Sequence, residues 1–385
     1  MRVLLVTPSY FPIIGGAEVF TQTLAIRLNE SGIHTDVMTY NMNEKWKPIW
    51  AEETIEDGGF KVFKQPAFNP LPNLPNPLYN FLRMNVIPKV SFVKKFKDYD
   101  AIHFISEADL GLAICSLHIK KPKLLHFLGI FRKGGMYKYY MVDRPYMGVI
   151  LKRLIRRLAD IFLVSSQEEK RLLLKIGLPE EKVHILPMGV DTEIFRPNES
   201  SRSYNLILFV GRIERIKGLH ILIDALQYVD IPAHLVIIGP KRDKKYAEQI
   251  EKEVSMINKK GFHKVEFLGS MKQSDLAKWY HKASIVVCPY LVETYSNVVR
   301  ESLACGTPVV STGSHIIEDG SDGILLTAAK AKDLANCIAK LLKDKNMREK
   351  LGMEGRVLVN KFFSWQHVIE ELKRLYISVI NAQRN

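Results

Sequence analysis

The stretch Met1–Tyr40 reads MRVLLVTPSYFPIIGGAEVFTQTLAIRLNESGIHTDVMTY, and its order of patterns decides the fold class. Val3-Leu4-Leu5-Val6 is an unbroken apolar run with β-branched residues at both ends, as in a strand buried on both faces. Pro8 to Gly16 reads as a loop. Glu18 to Asn29 carries helical spacing through Val19, Leu24 and Leu28, and Gly32 ends it. His34 to Tyr40 is a second strand. Strand, helix, strand in this order makes a parallel pair joined by a crossover helix, the unit of an α/β sheet.

The same rhythm continues outward. Ala101-Ile102-His103-Phe104 and Ile161-Phe162-Leu163-Val164 are further buried strands. The polar run Pro197-Asn198-Glu199-Ser200-Ser201-Arg202-Ser203 breaks the pattern and reads as a linker. Alternation then restarts with a strand at Leu206–Val210, a helix at Lys217–Leu226 and a strand at Leu235–Ile238 that stops at Gly239-Pro240. Ser284–Val287 and Pro308–Ser311 follow. The chain of 385 residues therefore divides into two doubly wound domains, 1–198 and 204–364. Gln65 to Lys97 interrupts the first. It is rich in proline (Pro66, Pro70, Pro72, Pro75, Pro77), then aromatic and basic (Phe81, Arg83, Phe92, Lys94, Lys95, Phe96, Lys97), and insertions of this length are usually functional or mobile.

Hydrophobic residues make up 47% of the chain and charged residues 25%, which places it among soluble globular proteins. Cys115, Cys288, Cys305 and Cys337 form no CxxC pair, so they read as buried apolar residues in a reducing compartment rather than zinc ligands or a disulfide framework. Met1–Ser9 is a strand pattern without a cleavage site, and no apolar run is long enough to span a bilayer. The expected location is the cytoplasm.

A formal net charge of +14 favours phosphate-bearing partners: nucleotides, nucleic acid or an anionic membrane face. The charge is uneven, because residues 121–160 hold ten Lys/Arg against Asp143 and Asp160. Within Arg132–Arg157, Lys133, Lys138, Lys152, Arg153, Arg156 and Arg157 interleave with Tyr137, Tyr139, Tyr140, Met147 and Ile150. This is the pattern of a segment docked peripherally on the cytoplasmic face of an anionic membrane, and equally of a solvated basic helix. If it docks, the acceptor is a lipid or a lipid-linked sugar, and the 65–97 insertion helps to shape its site. No zinc-finger, helix-turn-helix or RNA-binding aromatic signature accompanies the charge, so nucleic acid is not expected as a partner. No G-x-G-x-x-G follows the first strand, which argues against a dinucleotide-linked dehydrogenase.

Three loops lie where a strand gives way to a helix, the place where open α/β sheets bind ligands and where free helix N–H groups face phosphate. They are Gly15-Gly16-Ala17-Glu18, Gly211 to Gly218, and the segment from Glu293 into a helix through Glu301. Each has a bland reading beside the functional one. Gly15-Gly16 lets a backbone approach a ligand or makes an ordinary tight turn. Arg212 and Lys217 offset the charge of a diphosphate or are two solvated cations. Glu293 and Glu301 are site carboxylates or exposed acids. Asp98-Tyr99-Asp100 matches a metal-binding D-x-D, but it precedes a strand and reads as a loop end, so no metal site is expected. His103 and His126 sit at strand ends, as structural histidines often do.

The block Glu293-Thr294-Tyr295-Ser296-Asn297-Val298-Val299-Arg300-Glu301-Ser302-Leu303-Ala304-Cys305-Gly306-Thr307-Pro308-Val309-Val310 resembles the E-x7-E signature of retaining glycosyltransferase family 4. The order of Gly15-Gly16, His126, Gly189-Val190-Asp191 with Phe195 and Pro197, Gly211-Arg212, Lys217-Gly218 and Phe363-Ser364-Trp365 is similar to that family across nearly the whole chain. The resemblance implies a GT-B fold: two Rossmann-like doubly wound domains facing a central cleft, with a final helix, 365–385, packing back on the first. It implies sugar transfer from a nucleoside-diphosphate sugar, UDP- or GDP-linked, to a hydroxyl of a sugar or lipid-linked acceptor, with the donor as substrate and no cofactor. It also implies roles. Glu301 binds the ribose and Glu293 the donor sugar. Arg212, Lys217 and the backbone near Tyr295, Ser296, Asn297 and Val298 bind the diphosphate. Gly15 and Gly16 close on the donor, and His126 lies near the sugar and its leaving bond. A nucleotide-sugar epimerase of the same fold is the alternative. Two positions depart from the family pattern: Thr294-Tyr295-Ser296 where glycine is frequent, and Tyr290 where a small residue is commoner. Both bear on which donor is chosen.

Overall fold

The structure is a computed structural model that describes residues 1–13, 16–43, 47, 49–68, 87–88, 90–106, 119–128, 156–175, 177–198, 203–291, 296–312 and 323–384. The chain forms two compact units, Met1–Met188 with Val368–Asn385, and Gly189–His367. Both are mixed α/β, each built on a largely parallel sheet.

The first unit carries β1 (Arg2–Thr7), β2 (His34–Tyr40), β3 (Glu53–Asp57), β4 (Phe60–Gln65), β5 (Ala67–Phe68), β6 (Ile87–Pro88), β7 (Ala101–Ser106), β8 (Lys123–Phe127), β9 (Ile161–Val164) and β10 (Val183–Ile185). Eight of them form one sheet in the order β10-β9-β8-β7-β1-β2-β4-β3, and β5 pairs with β6 in a separate ribbon. Every pairing in the large sheet is parallel except β3 with β4. β1 sits between β2 and β7, so the chain reverses its winding there, which makes the carboxyl end of β1 a switch point. Val3, Leu4, Leu5 and Val6 are all completely buried, as the apolar run demands. Each such side chain contributes about 1.5–3 kcal/mol when withdrawn from water. The helix Gly16–Glu30 makes the crossover to β2. It stops where Gly32 turns to a φ of +82° and the Ile33 N–H returns to the Leu28 carbonyl at 2.9 Å.

One hairpin, β3 to β4, was not evident in the sequence. Gly58 and Gly59 turn it with φ of +57° and +87°, the conformation a two-residue hairpin loop requires. Of the 65–97 insertion, residues 69–86 and 89 lie outside the described residues. Its last part is a 3₁₀ helix, Val90–Asp98, that buries Phe96 in the core and lays the Lys95 ammonium 3.8 Å from the centroid of the Phe63 ring. The final helix, Trp365–Arg384, joins this unit from Val368 onward and buries Tyr376 completely.

The second unit carries β11 (Leu206–Val210), β12 (His234–Ile238), β13 (Lys264–Gly269), β14 (Ile285–Cys288), β15 (Val309–Ser311) and β16 (Ile324–Leu326). They form an all-parallel sheet in the order β13-β12-β11-β14-β15-β16. The winding reverses between β11 and β14, so their carboxyl ends form a second switch point. The chain already belongs to this unit ahead of the polar run 197–203. The Val190 N–H bonds the Phe363 carbonyl at 2.7 Å, and Phe195 is buried in the unit's core against Tyr280. A side chain at Gly189 would meet the Trp365 ring at 2.4 Å, so only glycine fits this crossing. On the far side of the run, the Ser203 N–H is bonded to the Lys282 carbonyl at 2.9 Å.

Candidate functional site

In the second unit the chemistry gathers on the loops after β11 and β14, adjacent strands in register at Ile207 with Ile285 and Leu208 with Val286. The loop after β11 begins at Gly211, whose N–H bonds the Ile238 carbonyl at 2.9 Å. Its neighbour Gly239, at a φ of +148°, comes so close that a Cβ there would lie 1.9 Å from the Gly211 carbonyl oxygen. These two strand ends can meet only without a side chain at position 239. Ile213 continues the pairing to the Pro240 carbonyl at 2.9 Å and lies buried. Arg212 is half-exposed and forms an ion pair with Glu214 at 2.7 Å.

The sequence pattern places a helix from Lys217, whereas the structure starts it at Leu219. The reason is Gly218, which adopts a left-handed φ of +69° and presses its Cα face onto the Pro289 carbonyl. Arg215–Lys217 instead form one 3₁₀ turn that aims Lys217 sideways, toward the loop after β14. There the Leu291 N–H bonds the Ile216 carbonyl at 3.0 Å, and the Lys217 ammonium lies 4.8 Å from the centroid of the Tyr290 ring. Tyr290 is buried, and its hydroxyl lies 3.0 Å from the Ser296 hydroxyl. The unusual tyrosine thus reaches the start of the next helix.

That helix is Asn297–Ala304, with Ser296 as its N-cap, accepting the Val299 N–H. The amides of Asn297 and Val298 occupy its first turn, where N–H groups have no partner within the helix. Glu301 is not a surface acid: it is 8% exposed, and the Tyr280 hydroxyl donates to its Oε2 at 2.9 Å. Burial pushes the Glu301 carboxyl above the ordinary glutamate range, while the Tyr280 hydrogen bond and the neighbouring Arg300 pull it back. Arg300 is fully buried, bonded to the Asn297 side chain, with its guanidinium 6.0 Å from the Phe363 ring centroid. Glu293 and Tyr295 lie outside the described residues. The structure therefore brings Arg212, Lys217, Ser296, Asn297, Val298 and Glu301 onto two stitched loops and one helix, with Tyr290 between them.

In the first unit, Gly16 opens the helix after β1, and Gly15 lies outside the described residues. The first turn contributes Glu18, a buried acid that receives the Ser9 hydroxyl. His126 lies on β8 beside Ile105 of β7 and Leu163 of β9, fully buried. Phe20 meets its ring edge-on at 5.3 Å, and His103 stacks on it at 5.6 Å. Burial pushes the His126 pKa down to about 3, against a smaller opposing pull from the backbone at Leu186. His103 is held well below its usual range by burial and by His126. Its Nδ1 lies 2.6 Å from the Tyr376 hydroxyl of the final helix. Nothing in the sequence pointed to this His103–Tyr376 pair or to the Tyr280–Glu301 pair, because chain distance hides both.

The D-x-D stretch has structural duties. Asp100 accepts the Arg2 N–H at 2.8 Å, and the Tyr99 hydroxyl donates to Asp36 at 2.7 Å. Among the described residues, no group of three or more His, Cys, Asp or Glu could hold a metal ion. Most of the basic aromatic segment, 132–155, lies outside the described residues; Arg156 donates to the Gly177 carbonyl. Among the described residues, no helix is long and apolar enough to cross a membrane.

The pattern of the family described as Glycosyltransferase Family 4 matches residues 14–194. The one described as Glycosyl transferases group 1 matches residues 204–344. An uncharacterized glycosyltransferase of Methanocaldococcus jannaschii is 25% identical, covering 98% of this chain and 99% of its own. A D-inositol 3-phosphate glycosyltransferase of Paenarthrobacter aurescens is 25% identical over 91% of this chain and 90% of its own. Among solved structures, HepE of Anabaena in complex with UDP superposes with a TM-score of 0.72 at 18% identity, covering 98% of this chain and all of the other. Sucrose-phosphate synthase of Thermosynechococcus elongatus gives a TM-score of 0.74 at 22% identity, with 99% of each chain covered. With family patterns matched in both units and a GT-B fold shared with these structures, the chain belongs to the family 4, group 1 type of glycosyltransferases.

Proposed function

We propose that this glycosyltransferase moves a hexosyl group from a UDP- or GDP-sugar to a hydroxyl of a sugar or lipid-linked acceptor, with retention at the anomeric carbon. The observation that carries the reading is the meeting of Lys217, through Tyr290, with a capped helix N-terminus that carries a buried carboxylate, on loops at the switch point of one parallel sheet, one of which also bears Arg212. Breaking a sugar–phosphate bond leaves negative charge on the diphosphate. Lys217, Arg212 and the Asn297 and Val298 amides are donors of the kind that stabilise it. Arg212 would exchange its Glu214 partner for phosphate, a bidentate acceptor that suits a guanidinium. Glu301 accepts ribose hydroxyls, and Glu293 meets the sugar. HepE, which shares the fold, has been solved with UDP-glucose, and this supports a UDP-linked donor.

The departing phosphate oxygen takes the acceptor's proton on the face it leaves, so no carboxylate nucleophile of the glycosidase kind is needed. In the first unit, Gly15 and Gly16 are assigned to the donor. His126 is assigned by resemblance to the sugar and its leaving bond, where a neutral imidazole acts by hydrogen bonding, although its ring is fully buried within the first unit as it stands. The basic segment around Arg132–Arg157 is assigned to an anionic membrane face on the cytoplasmic side.

The test is to incubate the purified protein with UDP-, GDP- and ADP-sugars, with and without membrane lipid extract, and to measure nucleoside diphosphate release. Release from one donor, raised by lipid and giving a product of unchanged anomeric configuration, is the expected outcome. Inverted product would overturn retention, and release indifferent to lipid would remove the membrane assignment. Interconversion of the donor sugar without transfer would favour an epimerase.

A further inference from the structure

We propose that Tyr280 is a positioning residue for nucleotide recognition: its hydroxyl fixes one oxygen of the Glu301 carboxylate so that the other is presented to the ribose. This rests on the reading that Glu301 accepts ribose hydroxyls. Tyr280 stands on the helix Gln273–Lys282, and no family motif quoted above includes it. It is completely buried, its ring held edge-on by Phe195 at 5.8 Å. Its backbone is anchored as well, since the Thr307 hydroxyl donates to the Tyr280 carbonyl at 2.8 Å. A ring held in this way cannot swing, so the hydroxyl stays 2.9 Å from Glu301 Oε2.

Glutamate has three side-chain torsions, and a carboxylate held at one oxygen keeps far fewer of their combinations. A carboxylate fixed in advance binds a pair of hydroxyls without the ordering cost at the moment of binding. The bond also bears on charge. The groups facing the pair are Arg300 on the Glu301 helix, and Cys288 and Tyr290 at and just after the end of β14. Burial favours the protonated carboxyl, whereas the Tyr280 bond favours the ionised one. An ionised carboxylate accepts through both oxygens and a protonated one does not. Removing the hydroxyl therefore raises the pH at which Glu301 loses its proton, and the acid limb of nucleotide affinity moves with it.

The experiment measures UDP and GDP binding calorimetrically over a pH series for the wild type, Tyr280→Phe, Glu301→Gln and the double variant. Tyr280→Phe is expected to weaken binding about tenfold at neutral pH, the scale of a hydrogen bond to a charged group, and to shift the acid limb upward. In the Glu301→Gln background it should have no further effect. A fluorinated tyrosine placed at position 280 keeps the shape and donates more strongly, so it should shift the limb downward; it also serves if Tyr280→Phe fails to fold. If Glu301→Gln weakens binding while the Tyr280 variants match the wild type in affinity and pH limb, the Tyr280 role is overturned and the ribose reading stands. If Glu301→Gln leaves binding unchanged, or the wild type binds neither nucleotide, the ribose reading falls and the proposal falls with it.

Discussion

Lys217 owes its direction to the glycine that follows it. The left-handed Gly218 stops the chain from running straight into a helix and leaves Lys217 on a 3₁₀ turn with its ammonium over the Tyr290 ring. Lys217→Ala and Arg212→Ala should each lower turnover at least about 100-fold, the cost of losing one donor to a developing anion. Thermal melting should be unchanged, because both side chains sit on a surface loop; near-normal turnover would remove them from the site. The site was only partly legible at this scale. The E-x7-E block and the Arg212–Lys217 loop could be read because the residues that carry them are neighbours in sequence. Tyr280 and Arg300 could not be read as parts of the Glu301 environment. Their value lies in burial, and a tyrosine near the end of an amphipathic helix is indistinguishable from an ordinary core residue.

Among elements, the buried parallel strands were the most legible part, since a strand covered on both faces must be apolar throughout. Val3–Val6, Ala101–Phe104, Ile161–Val164 and Leu206–Val210 all lie within observed strands. The hairpin β3–β4 escaped because its edge strand, Glu53–Asp57, is polar and exposed and carries no apolar run. The helix Leu219–Leu226 began two residues later than its apolar pattern suggested, because the αL turn at Gly218 overrides periodicity. The final helix is fastened to β7 by the Tyr376–His103 bond. Tyr376→Phe leaves a buried imidazole nitrogen unsatisfied and should cost about 1–3 kcal/mol of first-unit stability. Amide exchange should show it as lost protection along residues 368–384. A loss confined to the second unit would contradict this.

At the scale of the molecule, the first unit encloses two neutral histidines, and this makes its stability depend on pH. His126 has a folded pKa of about 3 against an unfolded 6.5, and His103 is displaced in the same direction. The unfolded chain binds more protons in that interval. Stability is therefore complete above about pH 6.5 and is lost as the pH falls toward the folded values. His126 should remove roughly 2 kcal/mol between about pH 7 and about pH 5, and His103 adds a loss of the same sign. Denaturant midpoints of the first unit should fall accordingly, and His126→Leu should flatten the trend; a pH-independent midpoint would show that the rings are not sealed from water. The way the chain is divided also sets an order of events during synthesis. The second unit is a single uninterrupted segment, Gly189–His367, whereas the first is assembled from the segments on either side of it, Met1–Met188 and Val368–Asn385. As the ribosome extends the chain by roughly 5–20 residues per second, the strands around β1 emerge early but wait for Tyr376 until the whole of the second unit has been made. The half that is made first is therefore the half that is finished last, and a nascent chain stalled before its final helix would leave His103 without its partner.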